Sequence, residues 1–423
     1  MEETTKTNRE ADGTGRIEPS PWPVIDDEVI EAVVRVLKEE SLSPIMQVGT
    51  IKEFEDSFAH YQGRKFAFAV NSGTAALDTA LHVSGVGPGD EVIVSPYTWG
   101  ATVGCILHNN AIPVFADIDP LTFNIRPDEI QKKITDRTKA IVTVHIYGHP
   151  CDMDPINEIA RKHNIRVIED CAQAHGATYK GKKVGSLGDI GCFSIQASKN
   201  LIGGEGGILV FDDEALFDEV VSWASHPVRQ FQELSDRPLG KYIDSIAPNF
   251  RMHPVSAAIA NVQLKRLDTW LAQRQKNLVY LTKALSDIPG IRPTYVAQNC
   301  THAVHMIPLT YKAEELNGAP LENFRNALAL EGIETNSYVN VPIHLRPRFQ
   351  EQRFWGKGCP WTCGHAGRMV EYKVGDCPVA EKRCSGEELC LPSVGFHVPC
   401  NEYLDHIVAS FKKAANQALA GSL

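Results

Sequence analysis

Three short stretches hold residue types whose spacing suits one kind of chemistry. The first is Ser194-Ile195-Gln196-Ala197-Ser198-Lys199-Asn200, followed by Gly203-Gly204-Glu205-Gly206-Gly207. A lysine among small residues and glycines, just past a short apolar run, differs from a lysine on a solvated helix face. Desolvation lowers the pKa of such an amine toward the neutral nucleophile that Schiff-base chemistry needs. The plain alternative is a surface lysine in a glycine loop. The second stretch is Glu169-Asp170, which closes the apolar run IRVI. An acid ending a buried strand is costly unless it has donors or a positive partner. A protonated pyridine nitrogen is one such partner, and holding that proton keeps the ring an electron sink. A helix cap or structural acid is the alternative here. The third is Asn71-Ser72-Gly73-Thr74-Ala75-Ala76-Leu77. A strand gives way to a helix there, so free N–H groups and the positive end of the helix dipole meet at an anion site. Gly73 lets the backbone approach a phosphate closely, and Ser72 and Thr74 add hydroxyls. Alone, such a junction is more often a plain N-cap.

Together the three are more specific. A phosphate cup, an acid on a later strand and a lysine after the next one follow the chain order expected of a pyridoxal-phosphate (PLP) site. Trp99, after Ser-Pro-Tyr-Thr, suits stacking on the pyridine face.

The elements that must position these residues are legible as alternation. Between residues 65 and 213 the runs KFAFAVNS, EVIVSPYT, IPVFADID, AIVTVHIYG, RVIEDCA, IGCFSI and GILVFDD are short and rich in β-formers. Several are apolar throughout, as strands covered on both faces require. Segments such as TAALDTALHVSGV and DMDPINEIARKHN lie between them with helical spacing. Strand–helix alternation predicts an α/β fold with a mostly parallel central sheet flanked by helices. Ligands in such sheets gather at the carboxyl ends of the strands, which places NSGT, SPYTW, EDCAQAH and SIQASK on one edge. A helical stretch from about Pro254 to Leu285 links this large domain to a smaller α+β C-terminal one. The expected division is a disordered tail over residues 1–20, a large domain with an N-terminal arm and the linking helix over 21–285, and a small domain over 286–423.

At 423 residues the chain buries a large core. Its 42 basic and 52 acidic residues give a net charge of −10, so no global field attracts nucleic acid or anionic lipid. No apolar run approaches the ~20 residues that cross a bilayer, and the polar N-terminus has no secretory h-region. A cytoplasmic protein without nucleic-acid or membrane partners is expected. The eleven cysteines are scattered, and Cys105, Cys171 and Cys192 sit in apolar segments as buried free thiols. Cys359-Pro-Trp-Thr-Cys363, with His365 and Cys377 nearby, matches no common zinc spacing. A Cys-rich loop without metal is the expectation.

NSGTAAL, SPYTW, EDCAQAHGA, GDIGCFSIQASKN, GGEGG and NFRM resemble the DegT/StrS family of sugar and aminocyclitol aminotransferases, and the likeness runs from about Pro21 to the C-terminus. The resemblance implies PLP-dependent transferase fold type I. It implies that Lys199 forms the aldimine with PLP and then moves the proton between substrate carbon and cofactor carbon, leaving a pyridoxamine form. It further implies that Asp170 pairs with the pyridine nitrogen, Gln173 contacts the ring hydroxyl side and Trp99 covers the ring. Gly73, Thr74 and Ser194 would hold the phosphate, with Ser72 adjacent. Asn249, in NFRM, would reach the phosphate of a neighbouring subunit, making a homodimer the working unit. Where many nucleotide-sugar members read H-P-T-K or Y-A-T-K, this chain has Gln196-Ala197-Ser198-Lys199, closer to the branch that aminates inosose-type ketones. The implied reaction moves an amino group from L-glutamine or L-glutamate to a keto cyclitol or keto sugar, scyllo-inosose-like. The alternatives are a nucleotide-linked keto-sugar aminotransferase and a PLP-dependent dehydratase or lyase of the same fold. Dehydratase relatives carry histidine in place of the lysine. A diphosphate-binding mouth would call for cations, for which Arg229, Lys241, Arg346 and Arg348 are candidates. The insertion GCPWTCGHAG would exclude a nucleotide if it folded over the mouth.

Overall fold

The computed structural model describes residues 18–423, so the expected tail falls outside the described residues as far as residue 17. All seven apolar runs contribute strands to one sheet: β1 (Phe66–Val70), β2 (Glu91–Val94), β3 (Ile112–Phe115), β4 (Thr138–Val144), β5 (Arg166–Asp170), β6 (Ile190–Ser194) and β7 (Gly207–Phe211). Their order is β1-β7-β6-β5-β4-β2-β3. Strand β7 runs antiparallel to β1 and β6, and every other pair is parallel. Strands β2, β3, β6 and β7 are buried at every residue, which is why their sequences do not alternate.

The antiparallel strand follows from the glycine turn. The chain reverses after β6, and β7 starts with Gly207 opposite both Ser194 and Val70. A Cβ on Gly207 would lie 2.2 Å from the Ser72 carbonyl oxygen. Only glycine lets the lysine loop and the Asn71–Thr74 junction approach so closely.

Helices α1 (Gly73–Val83) and α2 (Gly100–His108) follow β1 and β2 and carry the cup and Trp99. Helix α3 (Pro254–Leu285) has 32 residues, roughly 48 Å at 1.5 Å per residue. Its first half packs Ala257, Ala260, Leu264 and Leu267 with Phe58 and Phe193. Its last turns place Leu278, Leu281 and Leu285 in a separate core. A small antiparallel sheet stands over that core, made of β8 (Ile291–Arg292), β9 (Met306–Tyr311) and β10 (Glu388–Pro392). Helices Leu321–Leu330 and Asn401–Leu419 pack on it.

One stretch of the C-terminal region departs from a simple two-lobe division. Val339, Ile343, Phe349, Trp361 and Tyr372 belong to the core of the large sheet. Trp361 is fully buried and its indole N–H donates to the Tyr372 hydroxyl at 2.8 Å. That hydroxyl donates to the Pro113 carbonyl at 2.8 Å. The GCPWTCGHAG insertion is therefore anchored on β3, the outer edge strand. Among the described residues no helix is long and apolar enough to cross a membrane.

Candidate active site

A cavity of about 690 Å³ opens at the carboxyl ends of β1, β2, β4, β5 and β6. Ser72, Gly73, Thr74, Trp99, Asp170, Gln173, Ser194 and Lys199 all line it. Of the expected site residues only Asn249 does not. It sits in a separate depression with Leu42, Pro44 and Arg251, and its carbonyl accepts from the Asn71 side chain at 3.2 Å.

The cup is built as an anion site. Ser72 caps α1 by accepting from Ala75 N–H at 3.0 Å, so the N-cap reading holds for its oxygen while its O–H proton stays available. The N–H groups of Gly73 and Thr74 are at the first turn, where no intrahelical carbonyl reaches them. A Cβ on Gly73 would lie 2.7 Å from Ser194 Cβ, so strand end and helix start meet at van der Waals distance only because residue 73 has no side chain. Both elements thereby present donors to one small volume.

Glu169 and Asp170 differ sharply although adjacent. Glu169 is buried and its carboxylate is saturated, accepting from His145 at 3.0 Å and from the N–H groups of Gly185, Leu187 and Gly188. Burial alone would raise its pKa, but His145 and these N–H groups outweigh it and the net direction is down. It is a structural acid holding the 185–188 loop. Asp170 is also buried, and among the described residues its carboxylate accepts only from Thr102 Oγ1 at 2.8 Å and Ala172 N–H at 3.1 Å. Burial raises its pKa despite both bonds and the charge of Lys199. Two neutral donors leave this carboxylate short of positive charge.

Lys199 reaches the cavity from a loop fixed by its backbone. Its N–H donates to Gln196 O at 2.9 Å, and its carbonyl accepts from Trp22 Nε1 at 3.1 Å. Burial pushes the amine below its ordinary value, and the charge of Asp170 only partly opposes this. Gln196 accepts from the Ser198 N–H at 2.8 Å and from its hydroxyl at 2.6 Å, so this pair stiffens the turn before the lysine. Gln173 is held by its Oε1, which accepts from Tyr147 N–H at 2.6 Å. Trp99 is 66% exposed, and its ring centroid is 6.4 Å from that of Tyr338.

These observations together test the fit to PLP. A donor-rich cup needs an anion, an under-partnered carboxylate needs a cation and a desolvated amine needs an electrophile. The residues fit that group.

Trp22, Thr102, Arg274, His305, Tyr338 and Ser393 also line the cavity, and the motifs did not single them out. Four of them come from residues 274–393 and approach only through tertiary packing. Thr102 alone carried a local signal, lying one helical turn into α2 beyond Trp99. Of the basic candidates for the mouth, Arg346 stands beside it, its Nη1 3.7 Å from the position of a Cβ on Gly100, between Trp99 and Ala101 of the cavity wall. Arg229 is buried in an ion pair with Glu55, at 3.1 Å, and bonds Gln47. Lys241 stands over the Tyr242 ring, Arg346 bonds the Val341 carbonyl and Arg348 the Arg353 carbonyl. None of the four lines the cavity, and neither does any residue of the Cys359–His365 insertion. No three of Cys359, Cys363, His365 and Cys377 bring ligand atoms together among the described residues.

Comparison with known proteins gives the same direction. Residues 23–394 match the DegT/DnrJ/EryC1/StrS aminotransferase family. A GDP-perosamine synthase of Caulobacter vibrioides is 40% identical over 302 residues, covering 71% of this chain and 78% of its own. A Streptoalloteichus tenebrarius protein, named as an L-glutamine:3-amino-2,3-dideoxy-scyllo-inosose aminotransferase by assignment, is 36% identical over 393 residues, covering 92% and 87%. The solved PLP form of a Streptococcus pneumoniae protein assigned as a sugar aminotransferase superposes with a TM-score of 0.77 at 28% identity, covering 96% and 100%.

Proposed function

Because the chain belongs to the DegT/DnrJ/EryC1/StrS aminotransferase family, we propose that it moves an amino group from L-glutamine or L-glutamate to a keto cyclitol or un-nucleotided keto sugar resembling scyllo-inosose. PLP, when bound, supplies the carbonyl that accepts the amino group and a ring that withdraws electrons from the reacting carbon. The chain's own residues do the rest. Lys199 Nζ would hold the cofactor and carry the proton between the reacting carbons. Asp170 would keep the ring nitrogen protonated, Gln173 would contact the ring hydroxyl side and Trp99 would cover one face. Gly73, Thr74 and Ser194, with Ser72 beside them, fix the phosphate.

The observation that carries the acceptor is the composition of the cavity wall. Among the described residues its lysine and arginine side chains are Lys199 and Arg274, with Arg346 outside the wall beside Gly100, whereas Thr98, Gln196, Ser198 and Tyr338 offer hydroxyls and an amide. Hydroxyls of a polyol need such partners once desolvated, while a nucleotide diphosphate needs cations. The insertion does not support this choice, since it packs on β3 away from the cavity. The relative named for GDP-perosamine supports the nucleotide-linked reading instead. A competition decides between them: enzyme amino-loaded with L-glutamine is offered scyllo-inosose and a UDP- or dTDP-4-keto-hexose at equal concentration. Faster return of the visible absorbance with scyllo-inosose is expected, by about tenfold or more, ~1.4 kcal/mol of barrier. Faster return with the nucleotide sugar refutes the acceptor assignment and leaves the aminotransferase reading intact.

A dimer with shared sites belongs to the same reading. Asn249 lies outside its own cavity, and Ile25, Ile30, Val34, Leu37, Leu42, Ile45 and Val48 expose apolar side chains along one part of the chain. Leu42 and Pro44 share a depression with Asn249, and a second copy covering these exposed apolar side chains would bring Asn249 toward the partner's phosphate cup. Dilution to monomer in sedimentation should therefore release PLP and abolish activity together. A fully active monomer contradicts it. The division at residues 285 and 286 is kept in this reading, supported by the separate core under the small sheet. By packing, however, Val339 to Tyr372 belong with the large one.

A further inference from the structure

Among the described residues three arginines are buried, Arg229, Arg274 and Arg383, and Arg383 is paired with Glu387 at 2.8 Å. Arg229 has its carboxylate, Glu55. Arg274, on α3, is 3% exposed and has no carboxylate partner among the described residues. Its Nη1 donates to Val304 O at 3.2 Å, Ser393 O at 3.2 Å and Ser393 Oγ at 2.7 Å. Every one of those acceptors is neutral. Among the described residues its Nε has no partner and Nη2 makes no hydrogen bond. Burial alone pulls the group down to about 10, with no negative charge opposing it.

A buried guanidinium without an anion is costly, and this one lines the catalytic cavity. Its position there is fixed. Trp22 stacks on it, 4.8 Å from guanidinium carbon to ring centroid, while the same indole donates to the Lys199 carbonyl. His305 stands on the same wall, and burial, with Lys199 and Arg274 beside it, keeps its imidazole neutral. The cup at Gly73, Thr74 and Ser194 is a separate anion site with its own donors. The wall therefore has a second place for negative charge, reached from the lysine.

Of the two substrates, only the amino donor brings a carboxylate next to the reacting carbon; a polyol ketone is neutral. We infer that Arg274, held by Ser393, whose hydroxyl donates to the His305 carbonyl at 2.7 Å, forms the subsite for the α-carboxylate of an α-amino acid donor. This rests on the aminotransferase reading above. The planar fork of arginine matches the two oxygens of a carboxylate in a way that an ammonium does not.

The test compares two donors on the PLP-loaded enzyme: L-glutamine and 4-aminobutanamide, which is glutamine without its α-carboxylate. Wild type should prefer glutamine, and Arg274→Gln should shrink that preference by about 30- to 100-fold, the range of a charge-assisted hydrogen-bonded contact. Calorimetric titration with glutaramate, glutamine lacking its amino group, should show a loss of affinity of the same size. A structural brace would slow both donors alike and leave their ratio unchanged, which overturns the inference. So does an unchanged glutaramate affinity, or a loss seen with L-glutamate but not with L-glutamine, since that would place Arg274 at the side-chain carboxylate. If Arg274→Gln does not accumulate as folded holoenzyme, Arg274→Lys gives the same ratio test, with a smaller expected shrinkage because the charge remains and the fork is lost. Wild type that takes no amino group from either donor would instead refute the aminotransferase reading itself.

Discussion

Lys199→Ala is expected to abolish amino transfer and the visible absorbance of the bound cofactor, while the circular dichroism of the fold stays unchanged. The second half follows from how the loop is held. Lys199 N–H to Gln196 O, Trp22 Nε1 to Lys199 O and Gly203 N–H to Ile195 O are all bonds of the Lys199 backbone or of its neighbours. No hydrogen bond of the lysine side chain supports the turn among the described residues, so truncation removes chemistry without removing structure. The first half follows from what the amine does. Its burial keeps it closer to the neutral nucleophile at working pH than a surface lysine is. No second lysine lines the cavity. Losing both the covalent attachment and the proton carrier is expected to slow turnover by at least about 10⁴-fold, ~5.5 kcal/mol. Added methylamine should restore a small part of it. Turnover within tenfold of wild type, with no amine added, would overturn the assignment of Lys199.

Residues that belong to one continuous strand–turn–helix junction are legible in the sequence. Several of the runs from KFAFAVNS to GILVFDD are apolar throughout because both faces of their strands are covered, so the sheet and the edge that gathers NSGT, EDCAQAH and SIQASK are legible from composition and spacing. Residues brought in across the fold were not readable. Arg229 looked like a candidate for a diphosphate mouth, yet its partner Glu55 lies 174 residues away in sequence and nothing local reports that pairing. Arg274 sits among other basic residues on a long helix, and only the approach of Ser393 and Trp22 distinguishes it. The pair Glu169-Asp170 is intermediate. Its position at a strand end was plain, but which carboxylate is saturated depends on the 185–188 loop folding back onto Glu169. The insertion at Cys359 misled for the same reason: its anchor is a carbonyl on β3, which no periodicity encodes.

That difference between the two carboxylates sets the remaining expectation. Asp170→Asn should retain part of its PLP binding, because the phosphate cup and Lys199 are untouched and the amide is nearly isosteric. Amino loading from L-glutamine in a single turnover should nevertheless slow by about 10²- to 10³-fold, ~2.7–4 kcal/mol, the scale found when one preorganised charge-stabilising group is removed. A carboxylate with only Thr102 and Ala172 as donors gains most from a positive ring nitrogen, and an amide cannot hold that proton. The protein has no ready substitute. Glu169 is saturated by His145 and three backbone N–H groups. Among the described residues the other acid lining the cavity is Glu205, which is exposed, where water weakens its hold on a distant charge. The readout is the rate at which the visible absorbance of the PLP form disappears on mixing with L-glutamine. A rate close to wild type would mean that some other group keeps the ring protonated, and the role given to Asp170 would be wrong.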